Sequence, residues 1–438
     1  MQSKKIKFTY MLFLILAFFV QTFYFEFKGI SVKFRYFAYI IFFISVLKTG
    51  KIEKNKFDIY LFILYIYMTV NIFFSTNQKE SVLSIVYLTL NILVARILFA
   101  NVEFLKINGD KILKSIYIIN IVGLVSYFIV FFFVGLDQVL DIRYLATDNH
   151  KLLENTIYSF MMYDASLPRY TGYILDPNFW GLYSIFMIYI IVVIQTLNDK
   201  KHCFYNRSLI TSIISLGLTL SRGNIITILI IWGLYNVLMI LKKRRKINKI
   251  DNNLILPKTK KIILIMIILG ITIGYGVLIN SNGINIEFVK ERYKFSDAES
   301  SRIDVWQTYM DDLDNLKEVF IGKGLTRNLR LDISGLSKTS HNTYIFVLYN
   351  LGLIGILIFL IIPISLLIQL IKRFFISTVN CKLYAISISF TVGILVESFT
   401  IDTFMSTLIW GTFIFGYSIL KLNDLRKVDL NEESFISS

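Results

Sequence analysis

The sequence predicts an all-α polytopic membrane protein of about twelve spans, and three observations carry that prediction. Mean hydropathy is +0.62, 55% of the residues are hydrophobic and only four are proline, which excludes a soluble globule. Apolar runs of roughly 17 to 25 residues recur along the chain, and helices are the way such runs satisfy their backbone in lipid. One polar, charged stretch of about sixty residues, 280–342, is wedged between two strongly apolar runs, and loops of that length are uncommon unless functional or disordered.

Taken in order, spans are expected at 8–25, 34–47, 57–75, 81–100, 112–135, 178–197, 208–220, 224–241, 262–280, 343–371, 383–400 and 404–420. The first run follows Lys4, Lys5 and Lys7 but lacks a small-residue cleavage site, so it reads as a span and not as a signal peptide. The chain then divides into 1–279, with nine spans and an outer loop at 137–177; 280–342, the large outer loop between spans 9 and 10; and 343–438, with the last three spans and a tail.

Charge sets the orientation. The net charge is +16, and more than half of the lysines and arginines fall in alternate connections, the richest being Lys242 to Lys261. The short connections on the other side, 26–33 and 76–80, hold only Lys28, Lys33 and Lys79. By the positive-inside rule both termini are cytoplasmic and the two long loops are outside. The basic runs are then topology signals and lipid-headgroup contacts, which excludes nucleic acid as their partner. Two cysteines, Cys203 and Cys381, form neither a disulfide framework nor a metal cluster. Richness in Ile, Phe, Lys and Asn with little Ala resembles an AT-rich bacterial genome.

Span seven is too short. Leu209 to Leu220 gives about 18 Å of helix against an apolar core of roughly 30 Å, and Ser221-Arg222-Gly223-Asn224 follows at once. Arg222 is therefore expected below the outer surface, where a charge needs a wet cavity or an anion; the alternative is an arginine snorkelling to the headgroups. In the large loop, Ser301 followed by Asp304 reads as a capping box. Ile303, Trp306, Met310, Leu313 and Phe320 then give a short helix with one apolar face, placed to lie over the bundle.

Of three histidines, His202 lies beside Lys201 in a cytoplasmic connection and takes no role, and His150 sits in a polar loop. His341 stands where the large loop meets the next span, suited either to capping that helix or to exchanging a proton with a hydroxyl. Arg169, Arg222 and Arg302 lie at outer junctions, and the planar fork of arginine suits phosphate oxygens. Arg302 at a helix start opposes the helix dipole, which a bound anion would repair; the alternative is pairing with Asp304 or Glu299. Asp176-Pro177 reads as an N-cap followed by proline at the first helical position. Glu397 and Asp402 are placed to partner buried arginines. Asp312 and Asp314, two apart on a helix, would diverge and so do not form a metal-binding pair.

Five motifs occur in order: RYTGYxxDPN at 169–178, TLSRGN at 219–224, SRxDVW at 301–306, GxGL at 322–325 and HNTY at 341–344. In these the chain resembles the O-antigen ligase and polysaccharide polymerase superfamily of bacterial envelopes. The resemblance implies a glycosyltransferase C-like fold. It also implies transfer of a glycan from a polyprenyl diphosphate carrier to a hydroxyl outside the cytoplasmic membrane, with no metal and no cofactor. By position, Arg222 and Arg302 would bind the diphosphate and His341 would act on the acceptor hydroxyl, while Arg169, Asp176, Asn342 and Tyr344 would contact substrate. The implied partners are the lipid-linked oligosaccharide donor, the growing glycan acceptor, the bilayer, a chain-length regulator and a flippase. The expected function is polymerisation of lipid-linked repeat units into capsule, exopolysaccharide or O-antigen. A ligase passing a finished glycan to another acceptor, and a transporter of the lipid-linked glycan, are the alternatives.

Overall fold

A computed structural model describes residues 11–12, 15, 24–27, 30–33, 56–133, 161–164, 167–174, 176–198, 202–244, 296–326, 331–333, 336–377 and 379–436. The expected spans 34–47 and 262–280, most of span 8–25, and His150 lie outside these residues. Long helices dominate: α1 (Lys56–Ile72), α2 (Gln78–Phe99), α3 (Val102–Phe133), α4 (Pro177–Leu197), α5 (Tyr205–Leu218), α6 (Arg222–Arg244), α7 (Ser296–Asp311), α8 (Leu316–Ile321), α9 (Thr343–Ile376), α10 (Cys381–Glu397) and α11 (Thr407–Ile436). Three small antiparallel hairpins join them: β1 (Tyr24–Phe27) with β2 (Ile30–Lys33), β3 (Met161–Asp164) with β4 (Leu167–Tyr170), and β5 (Leu331–Ile333) with β6 (Leu336–Lys338).

Among the described residues four helices are long and apolar enough to cross a membrane: 102–132 of α3, α4, 222–243 of α6, and α9; the stretch 407–422 of α11 is apolar but shorter. The chain is thus a helical, multi-pass membrane protein, while a count of twelve spans goes beyond these four. Helix α3 begins ten residues before the expected span 112–135. Span seven is indeed brief: α5 has 14 residues, about 21 Å of rise.

Helix α4 is the axis of the bundle. It is buried along nearly its whole length and packs against α3, α5, α6 and α10, while α9 packs on α1, α10 and α11. Tyr189 of α4 stacks on Phe390 of α10, with ring centroids 4.6 Å apart. Apolar side chains left exposed on α1 and α6, such as Phe62, Ile66, Leu229 and Trp232, form the faces a membrane protein turns to lipid.

Two expectations for the large loop are corrected. Helix α7 starts at Ser296, not at Ser301. Arg302 is therefore inside the helix, and the argument from its first turn lapses. The buried face is different in part: Leu313 and Trp306 of the expected set pack with Val305 and Tyr309 against Tyr349 of α9, whereas Ile303, Met310 and Phe320 are exposed. The anchor is aromatic, since Tyr309 meets Tyr349 edge-on at 5.3 Å.

Candidate active site

The site is assembled at the end of the bundle where α4, α6 and α9 begin and α5 and α10 finish. Asp176 caps α4 as its sequence predicted: its Oδ1 accepts from the N–H groups of Asn178 and Phe179, and Pro177 takes the first helical position. Arg169, expected to contact substrate, is 4% exposed and bonds to protein. Its Nε donates to the carbonyl of Thr219 (2.8 Å) and its Nη2 to Oδ1 of Asn178 (2.9 Å). Asn224 Nδ2 donates to the carbonyl of Asn178 at 2.8 Å. The first two motifs are thereby stapled together, and the turn between α5 and α6 lies level with the first turn of α4. Leu220 in that turn has φ +49°, a left-handed conformation unusual for a branched side chain. Arg222, half-buried, opens α6 directly after it.

The segment from α7 to the start of α9 reaches the same end. Trp306 Nε1 donates to the carbonyl of Ser340 at 2.8 Å, and Asn342 caps α9 by accepting from the N–H groups of Tyr344 and Ile345. His341 lies between these two fixed neighbours. It is exposed, has φ +45° and places Nε2 2.9 Å from Thr339 Oγ1. Among the described residues Leu220 and His341 are the two non-glycine positions with positive φ, and such strain concentrates at functional sites. It is Asn342, and not His341, that caps the helix. Thr343 Oγ1 donates to the carbonyl of Ile401 (2.8 Å) and accepts from Thr403 N–H (2.8 Å), and Tyr344 Oη donates to the carbonyl of Leu395 (2.7 Å). Asn342 and Tyr344, expected to contact substrate, thus spend polar atoms on holding the chain.

Glu397, at the end of α10, closes the floor. It is 1% exposed. Its Oε2 accepts from Thr227 of α6 (2.5 Å) and its Oε1 from Thr400 (2.6 Å), and Arg302 acts on it electrostatically. Arg222, Arg302 and His341 therefore belong to elements that meet around one buried carboxylate. Sequence reading had set Glu397 aside as a possible arginine partner but had no signal for Thr227, Thr400 or the Trp306 anchor, which are joined only by the fold.

The fourth motif has a structural task. Helix α9 breaks at Gly352, with φ +66°, leaving carbonyls of the turn before it without helical donors. Lys323 N–H bonds to the carbonyl of Tyr349 (3.0 Å), Gly324 N–H to that of Asn350 (2.9 Å), and Tyr67 Oη to that of Leu351 (2.6 Å). Gly322 and Gly352 permit this approach, since a Cβ on either would fall 2.3–2.4 Å from the opposite backbone. Asp312 follows the end of α7 and bonds to Lys323 Nζ (2.8 Å) and Tyr349 Oη (2.5 Å). Burial alone would raise its carboxyl, but these hydrogen bonds and the lysine charge outweigh burial and hold it below the usual range. Lys323 is held above its ordinary value: burial opposes its charge, and its contacts with Asp312 and Glu318 prevail.

The far end of the bundle differs in character. Lys242 Nζ donates to the carbonyls of Phe374 and Phe375 (both 3.0 Å); Lys243 also lies at the end of α6, Lys372 and Arg373 at the end of α9, and Lys382 at the start of α10. His202 there pairs with Asp110 at 2.6 Å. No curated protein matches the chain. Residues 208–360, which include Arg222, Arg302 and His341, match the family model described as O-antigen ligase, in agreement with the resemblance carried by the four motifs that fall there, and the match supports a glycan-processing role.

Proposed function

We propose that the protein is a polysaccharide polymerase of the bacterial cytoplasmic membrane, joining repeat units carried on polyprenyl diphosphate at the outer face. The observation that supports this reading is the convergence, at one end of the bundle, of the elements that bear Arg222, Arg302 and His341. That end is opposite the lysine-rich helix ends, which the positive-inside rule assigns to the cytoplasm.

The chemistry asks little beyond what these side chains supply. The acceptor hydroxyl oxygen bonds to the anomeric carbon of the donor sugar as the bond from that carbon to the diphosphate oxygen breaks. The electron pair leaves with the diphosphate and the hydroxyl proton passes to His341. Arg222 and Arg302 hold the charge that develops on the diphosphate, the place a metal ion takes in other glycosyl transfers. One well-placed donor of this kind is worth about 3–4 kcal/mol of barrier. Arg169 keeps the turn of Arg222 in place.

A ligase reading is favoured by the description of the matched family; it shares the donor chemistry and differs in the acceptor. The test compares two variants. His341→Ala should stop glycan transfer yet bind a polyprenyl diphosphate as the wild type does, whereas Arg302→Ala should lose that binding. Equal loss of binding in both would reduce His341 to a loop-holding residue, and normal long polymer from His341→Ala cells would overturn the catalytic role. Lipid-linked single repeats accumulating in the His341→Ala strain mark a polymerase; accumulation of finished lipid-linked polymer marks a ligase.

A further inference from the structure

We infer that Glu397 is a positioning residue that draws Arg302 of α7 onto the first turn of α6, beside Arg222, before substrate arrives; this rests on the proposed donor role of Arg222 and Arg302. Two cations brought to one place repel each other unless something anionic compensates, and a carboxylate buried this deeply is itself stable only when its oxygens are bonded. Glu397 meets both needs from a single point. Thr227 and Thr400 each donate to one of its oxygens, which fixes the plane of the carboxylate.

Both arginine-bearing elements come to that plane. On one side lies the first turn of α6: a Cβ on Gly223, the residue after Arg222, would stand 2.7 Å from Oε1 and 3.2 Å from Oε2. Glycine here admits the carboxylate against the helix start, whose dipole favours an anion. On the other side Arg302 of α7 interacts with Glu397 electrostatically. One turn further along α7, Trp306 ties the same helix to Ser340, beside His341. Glu397 thus registers α7 on the bundle at the point where its arginine is needed. It lies too deep to meet the sugar, and its effect on transfer passes through Arg302.

That route is measurable as a double-mutant cycle on the full-length protein in lipid nanodiscs, using a polyprenyl diphosphate without sugar as the probe. Glu397→Gln keeps a polar side chain between the two threonines and removes the charge. It should weaken probe binding about tenfold, and in a transfer assay with a lipid-linked repeat unit as donor the loss should fall mainly on KM and less on kcat. In an Arg302→Gln background the same change should have no further effect. Gly223→Ala, which retains the glutamate but pushes it away, should reproduce the loss, and it serves if Glu397→Gln does not fold. Additive losses in the cycle, or unchanged binding in both Glu397→Gln and Gly223→Ala, would overturn the role of Glu397. Wild-type binding by Arg302→Gln alone would overturn the donor role of Arg302 instead, a separate and recognisable outcome.

Discussion

At the scale of single residues, the site separates side chains that hold the protein from side chains turned toward chemistry. Arg169 is of the first kind: its guanidinium joins β4 to the Thr219 carbonyl and to Asn178. Arg169→Met should lower stability by roughly 2 to 4 kcal/mol, because two buried acceptors lose charge-assisted bonds; thermal unfolding of the purified protein in detergent measures it. Arg222 is proposed to be of the second kind. Arg222→Lys keeps the charge and the reach to headgroups but loses the two-pronged grip on phosphate. Transfer should fall about a hundredfold or more with insertion and melting unchanged, and full activity in the lysine variant would mean that Arg222 merely snorkels. Asp176 as a cap was legible in the sequence because a cap is a local arrangement. The burial of Arg169 was not, since its partners lie 50 and nine residues away in sequence.

At the scale of elements, α7 and α8 are docked. They are tied to α9 by Tyr309 and Leu313 against Tyr349 and by the glycine-flanked Lys323 against the break in that helix, while Trp306 holds α7 to Ser340 just before α9. The Asp312–Lys323 pair adds a pH signature. Asp312 is held below its ordinary value, so its contribution is complete above the ordinary carboxylate range and is lost as pH falls through the lowered one. Lys323 is held above its ordinary value, so its contribution is complete below the ordinary lysine range and is lost as pH rises through the raised one. Docking should be insensitive to pH from roughly 5 to 10 and loosen outside that window. Amide hydrogen exchange across 312–326 reads this directly, and Lys323→Met should give faster exchange at neutral pH. Loss of docking in the middle of that range in the wild type would show that the pair does not hold these helices. The apolar face expected for α7 shows the limit of periodicity. Ile303 and Met310 fit the helical spacing as well as Val305 and Tyr309 do, and only contact with Tyr349 selects the second set.

At the scale of the whole molecule, the two ends of the bundle carry opposite tasks, and orientation decides which faces the cell exterior. In a background with Cys203 and Cys381 replaced by serine, a cysteine introduced at Asp314 should react with an impermeant thiol reagent on intact cells. One introduced at Lys372 should not, and labelling at Lys372 in sealed cells would reverse the proposed topology. Both positions are exposed, so a negative result at one of them cannot come from burial.

By itself the sequence determined that the chain is helical and lies in a membrane, because hydropathy and helix length depend only on local composition. It also determined the short α5, the cap at Asp176 and the motifs by which the chain resembles the matched family, each contained in a few consecutive residues. Which residues meet was decided by tertiary structure alone. Glu397 stands 95 positions from Arg302 and 170 from Thr227, and packing of α6 against α10 supplies the proximity that no spacing encodes. The proposed function rests on buried charges such as Glu397, whose cost of burial is met by Thr227 and Thr400 from other parts of the chain, and that balance exists only once the helices are assembled.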